Sequence, residues 1–126
     1  MRTLKFLICD DSKLIRMKLT ETLKKLENSE VNVEVHEASD GEMAVGKYKE
    51  VKPDVVFLDI TMPVKSGLEA LEEIVNFDKS AKVIMASSVG TKEHLKKAID
   101  LGATDFIQKP LEEDKILNIL KRILSL

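Results

Sequence analysis

The chain contains no tryptophan, a single tyrosine and a single cysteine, Cys9. Because one cysteine cannot form an intramolecular disulfide, we interpret Cys9, which lies in an apolar run, as a core residue of a cytoplasmic protein. No apolar run approaches the ~18 residues of a membrane span, and the N-terminus has no secretory segment, so we expect no membrane association. Twenty basic residues nearly balance 22 acidic ones, which gives no argument for binding nucleic acid.

Five apolar segments alternate with five amphipathic segments along the 126 residues. The predicted strands are 4–9, 31–37, 55–59, 82–87 and 104–108, and the predicted helices are about 12–27, 41–51, 68–77, 91–101 and 112–126. Helices of this length between strands predict right-handed crossovers and a parallel sheet that is covered on both faces. We therefore predict a three-layer α/β sandwich, with the least apolar strand, 31–37, at an edge. We expect residues 1–126 to be one domain, with no room for an output domain.

Four of the predicted strands end in residues with carboxylate, hydroxyl or ammonium groups. They are Asp10 with Asp11, Asp59, Ser87 and Lys109. Ligands of open α/β sheets bind at the carboxyl ends of the strands, so we expect these side chains to meet at one edge.

This combination of groups indicates phosphoryl chemistry. Adjacent carboxylates repel each other without a cation, and a few hard oxygen ligands suit Mg²⁺. Asp59 is then a candidate nucleophile that forms an acyl phosphate, with Lys109 and Ser87 contacting the phosphoryl oxygens. Each residue alone has an ordinary interpretation: the acidic pair as a solvated turn, Asp59 as a helix cap, Lys109 as a loop residue. Their joint appearance favours a functional site.

Four motifs also carry a resemblance to a known family: Asp10-Asp11-Ser12, Leu58-Asp59-Ile60-Thr61-Met62-Pro63 with Gly67, Ser87-Ser88, and Phe106-Ile107-Gln108-Lys109-Pro110. Through them the whole chain resembles the receiver domain of two-component response regulators, in particular the stand-alone chemotaxis type. The resemblance implies a flavodoxin-like sheet of strand order 2-1-3-4-5. It also implies that a histidine kinase or histidine phosphotransfer protein phosphorylates Asp59, and that the signal passes to a downstream target protein.

The resemblance further implies roles for individual residues. Asp10, Asp11, Asp59 and the backbone carbonyl of Thr61 would hold Mg²⁺, while Ser87 and Lys109 would contact the phosphoryl group. Ser87 and Phe106 would form the switch, and the Lys109-Pro110 peptide would be cis. Thr61 and Val89 occupy the positions that tune hydrolysis of the acyl phosphate. The chain would be an enzyme only in catalysing its own phosphorylation and dephosphorylation.

Helical periodicity indicates where partners bind. In the first helix Leu14 and Met17 lie outside the apolar arc, so we predict an exposed pair that contacts a histidine-bearing helix bundle; packing on neighbouring loops is the alternative. Phe106 is a second candidate partner residue. Leu117 and Leu124 either form part of an output surface together with Phe106 or cover a neighbouring helix. We expect a monomer, with a phosphorylation-dependent dimer as the alternative.

Two other functions are compatible with parts of the pattern. One is a phosphorelay intermediate that passes the phosphoryl group to another histidine. The other is an aspartyl-phosphate phosphohydrolase, but such enzymes generally need a second aspartate two residues after the nucleophile, where this chain has Thr61, and a cap domain. A module that is not phosphorylated would be expected to lack the acidic pair or Lys109, and all three residues are present.

Overall fold

The computed structural model describes residues 2–88 and 92–126, in which five strands alternate with five helices. The strands are β1 (Arg2–Cys9), β2 (Val31–Ala38), β3 (Val55–Asp59), β4 (Val83–Ser87) and β5 (Asp105–Gln108). The helices are α1 (Lys13–Lys24), α2 (Gly41–Val51), α3 (Gly67–Phe77), α4 (Lys92–Leu101) and α5 (Glu113–Leu124). All the predicted elements are present, and their ends differ from the predictions by a few residues. The predicted start of the fourth helix, Thr91, lies outside the described residues.

The strands form one parallel sheet in the order β2-β1-β3-β4-β5, which confirms the predicted strand order. The polar strand β2 lies at an edge, as its composition predicted. The register pairs Cys9 with Leu58 and Asp59 with Ala86. The carboxyl ends of β1, β3 and β4 therefore lie side by side, and the residues that follow them start from one edge of the sheet.

Helices cover both faces of the sheet and form two hydrophobic cores. Helices α1 and α5 pack on one face, where Leu19, Leu23 and Ile116 belong to the same core cluster as Phe57. Helices α2, α3 and α4 pack on the other face through Ala44, Leu71, Ile74 and Ala98. All five residues of β3 are buried, as expected for a central parallel strand between two helical layers. This confirms the predicted three-layer sandwich. No helix in the described part of the chain has the length and apolar character needed to cross a membrane.

Three of the helices that begin at the edge of the sheet where the predicted site lies, α1, α2 and α3, are each capped by the side chain of the residue before them. Ser12 accepts a 3.3 Å hydrogen bond from the amide of Ile15, and Asp40 accepts one of 2.8 Å from Met43. Ser66 and Glu69 form a reciprocal capping box. Each cap satisfies an amide that has no partner within its helix, which fixes the direction in which the preceding loop enters.

Candidate metal and phosphoryl-transfer site

Three carboxylates meet at the carboxyl edge of the sheet. Asp10, Asp11 and Asp59 each offer an oxygen, and these oxygens lie within 4.8 Å of one another. Asp10 and Asp59 are buried, whereas Asp11 is exposed, so the group opens to solvent on one side. A few carboxylate oxygens beside water form a donor set that suits Mg²⁺, which keeps part of its hydration shell. These residues therefore fit the metal that the sequence predicted.

The ammonium of Lys109 lies between the two buried carboxylates. Its Nζ is 2.8 Å from Oδ2 of Asp10 and 3.5 Å from Oδ2 of Asp59. The backbone amide of Lys109 donates a 2.7 Å hydrogen bond to the carbonyl of Ser87, which ties the end of β5 to the end of β4. The Lys109-Pro110 peptide is cis, as the resemblance implied.

Burial and charge act against each other at these groups. Burial, and then the charge of Asp10, raise the pKa of the Asp59 carboxyl, although Lys109 and the amide of Thr61 oppose this shift. Burial alone would lower the pKa of Lys109, but hydrogen bonding to Asp10 and the charges of Asp59 and Asp10 outweigh it and raise the pKa. Burial and the charge of Asp10 therefore both disfavour the ionised form of Asp59, and a second cation beside the carboxylates would favour it.

The position of Asp10 is fixed from two directions. Its Oδ1 accepts a 2.9 Å hydrogen bond from the amide of Ser12. Its backbone carbonyl accepts one of 2.7 Å from Nη1 of Arg16, whose Nε is 2.9 Å from Oε1 of Glu37. Arg16 thereby links the acidic pair to the end of β2. The sequence contained no signal for this role, because a basic residue in an amphipathic helix is ordinarily interpreted as solvent-exposed.

Asp59 is held by a close approach of the backbone at Gly67. The amide of Gly67 donates a 2.7 Å hydrogen bond to the carbonyl of Ile60, and a Cβ at position 67 would lie 1.9 Å from the carbonyl oxygen of Asp59. Only glycine fits there. The sequence motif around Asp59 included Gly67, but the close backbone contact that requires glycine at this position is visible only in the structure. The backbone amide of Thr61 acts to lower the pKa of the Asp59 carboxyl, while the role of the Thr61 carbonyl as a metal ligand stays a prediction.

The two predicted switch residues lie on the neighbouring strands. Ser87 is buried at the end of β4, directly after the residue that pairs with Asp59. Phe106 pairs with Met85 and packs, partly buried, against the core formed with α2, α3 and α4. Their coupling stays a prediction. Val89, the other position expected to tune hydrolysis, lies outside the described residues.

The predicted apolar pair on α1 is exposed. Leu14 and Met17 retain 60% and 51% of their accessible surface, which confirms their exposure but leaves their binding role a prediction. On α5, Leu124 is buried in the core that α1 shares, and Leu117 is half-buried. Of the two alternatives for Leu124, an output surface or packing against neighbouring elements, the structure confirms packing.

Comparison with known proteins agrees with this geometry. Residues 6–121 match the family model described as the response regulator receiver domain. The chemotaxis protein CheY of Listeria monocytogenes is 48% identical over 94% of this chain and 97% of its own length. Protein CcdB of Bacillus subtilis is 44% identical, over 94% of this chain and 96% of its own length.

Solved structures give the same result. A CheX-CheY-BeF3-Mg complex from Borrelia burgdorferi contains a chain that superposes with a TM-score of 0.86 at 38% identity, covering 96% of this chain and 89% of that chain. The response regulator domain of Thermotoga maritima CheB gives 0.85 at 32% identity, covering 99% and 98%. The chain belongs to the response regulator receiver domain family, a family of signalling domains.

Proposed function

We propose that this protein is a phosphorylation-controlled switch of chemotaxis-type signalling, in which Asp59 accepts a phosphoryl group from a histidine kinase or a histidine phosphotransfer protein. The observation that carries the proposal is the buried Asp59 carboxylate, grouped with Asp10 and Asp11 and 3.5 Å from Lys109. Relatives named CheY, up to 48% identical, favour chemotaxis over a phosphorelay intermediate. We also propose that residues 1–126 act as one monomeric receiver domain. The buried, unpaired thiol of Cys9 supports a cytoplasmic location.

The proposed transfer is a displacement at phosphorus. A carboxylate oxygen of Asp59 attacks the phosphorus of a phosphohistidine, an O–P bond forms, and the N–P bond breaks with its electron pair returning to the histidine nitrogen. The Lys109 ammonium is close enough to donate to the phosphoryl oxygens once it leaves Asp10. The hydroxyl of Ser87, at the end of the adjacent strand, is the proposed second donor. Preorganised donors aimed at the transferred oxygens stabilise the charge that these oxygens carry.

Asp10, Asp11, Asp59 and the carbonyl of Thr61 are the proposed ligands of Mg²⁺, which when bound supplies positive charge for the carboxylates and the phosphoryl oxygens. Two side chains of the protein, Lys109 and Arg16, complete the proposed site. Lys109 changes its hydrogen-bond partner, and the Arg16 contact keeps the backbone of Asp10 in place. Thus the same carboxylates that repel each other without a cation become a binding surface for one.

The switch is reset by hydrolysis. Water attacks the phosphorus, the O–P bond to Asp59 breaks, and inorganic phosphate leaves while the carboxylate returns. Apart from catalysing these two reactions on itself, the protein is proposed to act by binding a target protein. Ser87 and Phe106 are the proposed link between the phosphoryl group and that target surface.

Phosphotransfer from a radiolabelled chemotaxis histidine kinase tests this function. Wild type should acquire the label and Asp59→Asn should not. Asp54→Asn is the matched control, since Asp54 lies before the opposite end of β3, where it accepts a hydrogen bond from the amide of Lys5. Labelling of Asp59→Asn at the wild-type rate would contradict the assignment.

A further inference from the structure

The first residue of α2, Gly41, lies against the backbone of the loop that follows Asp59. A Cβ added at Gly41 would lie 2.0 Å from the carbonyl oxygen of Lys65, 2.7 Å from its carbonyl carbon and 2.9 Å from its Cβ. Favourable contacts between carbon atoms lie near 3.5–4.0 Å. The missing side chain at position 41 is therefore what allows α2 and this loop to touch.

The loop that Gly41 contacts has little freedom to move on its own. At its base, the amide of Gly67 is bonded to the carbonyl of Ile60 at 2.7 Å. Within it, the amide of Lys65 donates a 2.7 Å hydrogen bond to the carbonyl of Pro63. At its start, the amide of Ile60 donates a 3.1 Å hydrogen bond to the carbonyl of Ala86 on β4. Because the loop is short and bonded at these points, a displaced Lys65 carbonyl shifts the segment that carries Thr61.

We propose that Gly41 is a positioning residue for phosphoryl transfer: its bare backbone lets α2 support Lys65, and so holds Thr61 and Asp59 in the arrangement that binds metal and accepts phosphate. This inference rests on the proposed function of Asp59. Any side chain at position 41 must push the Lys65 carbonyl away by about 1 Å or more, and a misplacement of that size near reacting groups lowers rates by up to about 100-fold.

Gly46 provides a matched control within the same helix. A Cβ at Gly46 would have no neighbouring atom within 4 Å. Gly41→Ala and Gly46→Ala therefore add the same methyl group to α2, once against the loop and once into open space. Alanine is the better helix former, so Gly46→Ala should fold at least as well as wild type.

The experiment compares wild type, Gly41→Ala and Gly46→Ala. The Mg²⁺ dissociation constant is measured by NMR titration, and the initial rate of phosphorylation by acetyl phosphate is followed by intact mass. The fold of Gly41→Ala is verified by circular dichroism. For this variant we expect a roughly tenfold weaker Mg²⁺ affinity and a phosphorylation rate that is lower by at least about tenfold. Gly46→Ala should match wild type in both. A folded Gly41→Ala that also matches wild type in both overturns the inference.

A second pair of variants tests the inference if Gly41→Ala does not fold. Asp40→Ala removes the acceptor of the 2.8 Å bond from Met43, which loosens the first turn of α2 without adding atoms. Asp40→Asn keeps a capping oxygen and controls for the lost charge. We expect Asp40→Ala, but not Asp40→Asn, to weaken Mg²⁺ binding and slow phosphorylation, and equal values for the two variants would overturn the inference. If wild type accepts no phosphoryl group, the proposed function fails instead, and the Mg²⁺ titration still reports on Gly41.

Discussion

Lys109 donates a 2.8 Å hydrogen bond to Asp10, which lies 99 positions away in the chain, and keeps a longer distance of 3.5 Å to Asp59. The ammonium is thus bonded to a proposed metal ligand rather than to the proposed nucleophile. A cation at Asp10 would compete with this hydrogen bond and free the ammonium for a phosphoryl group. On the proposed function, metal binding would therefore move Lys109 from Asp10 to the phosphoryl group.

Replacing Lys109 with methionine should destabilise the metal-free protein by about 3 kcal/mol, because two buried carboxylates lose their compensating charge. Urea unfolding measures the change, and saturating Mg²⁺ should restore most of it. Lys115→Met is the control, since Lys115 is exposed and lies 3.7 Å from Glu112 in a surface pair worth about 0.5 kcal/mol or less. Equal losses for the two variants would mean that Lys109 is not a structural partner of the carboxylates.

The raised pKa of Asp59 predicts how stability depends on pH. Below the ordinary aspartate pKa of about 3.9 the carboxyl is protonated in both the folded and unfolded states and contributes nothing. Between that value and the higher folded pKa, the folded state holds the extra proton, so stability falls as the pH rises. Asp59→Asn lacks this penalty. Without metal it should be more stable than wild type near pH 7 and equally stable near pH 3, as followed by thermal unfolding. A variant that is less stable near pH 7 would contradict the direction of the shift.

Leu14 and Met17 should matter for one phosphodonor and not for another. Changing both to serine should slow transfer from a phosphorylated histidine kinase by about tenfold, as loss of an apolar contact surface does, and leave phosphorylation by acetyl phosphate unchanged. Ile99→Ser is the matched control, since Ile99 is 57% exposed on α4. Slowing with both donors would indicate damage to the site, and no slowing with either would remove the pair from the partner surface.

Phe106 should change its surroundings when Asp59 is phosphorylated. The Ser87 hydroxyl is expected to turn toward the new oxygens and vacate space that the ring enters. Full burial of such a ring contributes roughly 2 kcal/mol, and Phe106 is already partly buried, so the populations should shift by at most about thirtyfold. Aromatic NMR of a beryllofluoride complex measures this shift. An unchanged ring environment with and without the mimic would mean that the signal leaves by another route.

The sequence predicted those features that depend on local pattern. The apolar run ending in Asp59 is typical of a buried central strand, and the polar alternation of β2 placed it at an edge. The acidic pair and Lys109 follow strand ends, so their convergence followed from the geometry of parallel sheets.

The contacts that hold the site together had no local signal. The bond from Arg16 to the carbonyl of Asp10, and the approach of Gly41 to Lys65, depend on how helices and loops from distant segments dock on the sheet. The preference of Lys109 for Asp10 over Asp59 is set by differences below 1 Å, which the order of residues in the chain does not specify.

The most direct test of the central claim is to incubate the protein with acetyl phosphate and Mg²⁺, record its intact mass, and locate the modified residue by borohydride reduction and peptide mapping. The account predicts one phosphoryl group, on Asp59, lost on removal of Mg²⁺ from the reaction and absent from Asp59→Asn. A phosphoryl group on another residue, or one that Asp59→Asn acquires as wild type does, would contradict it.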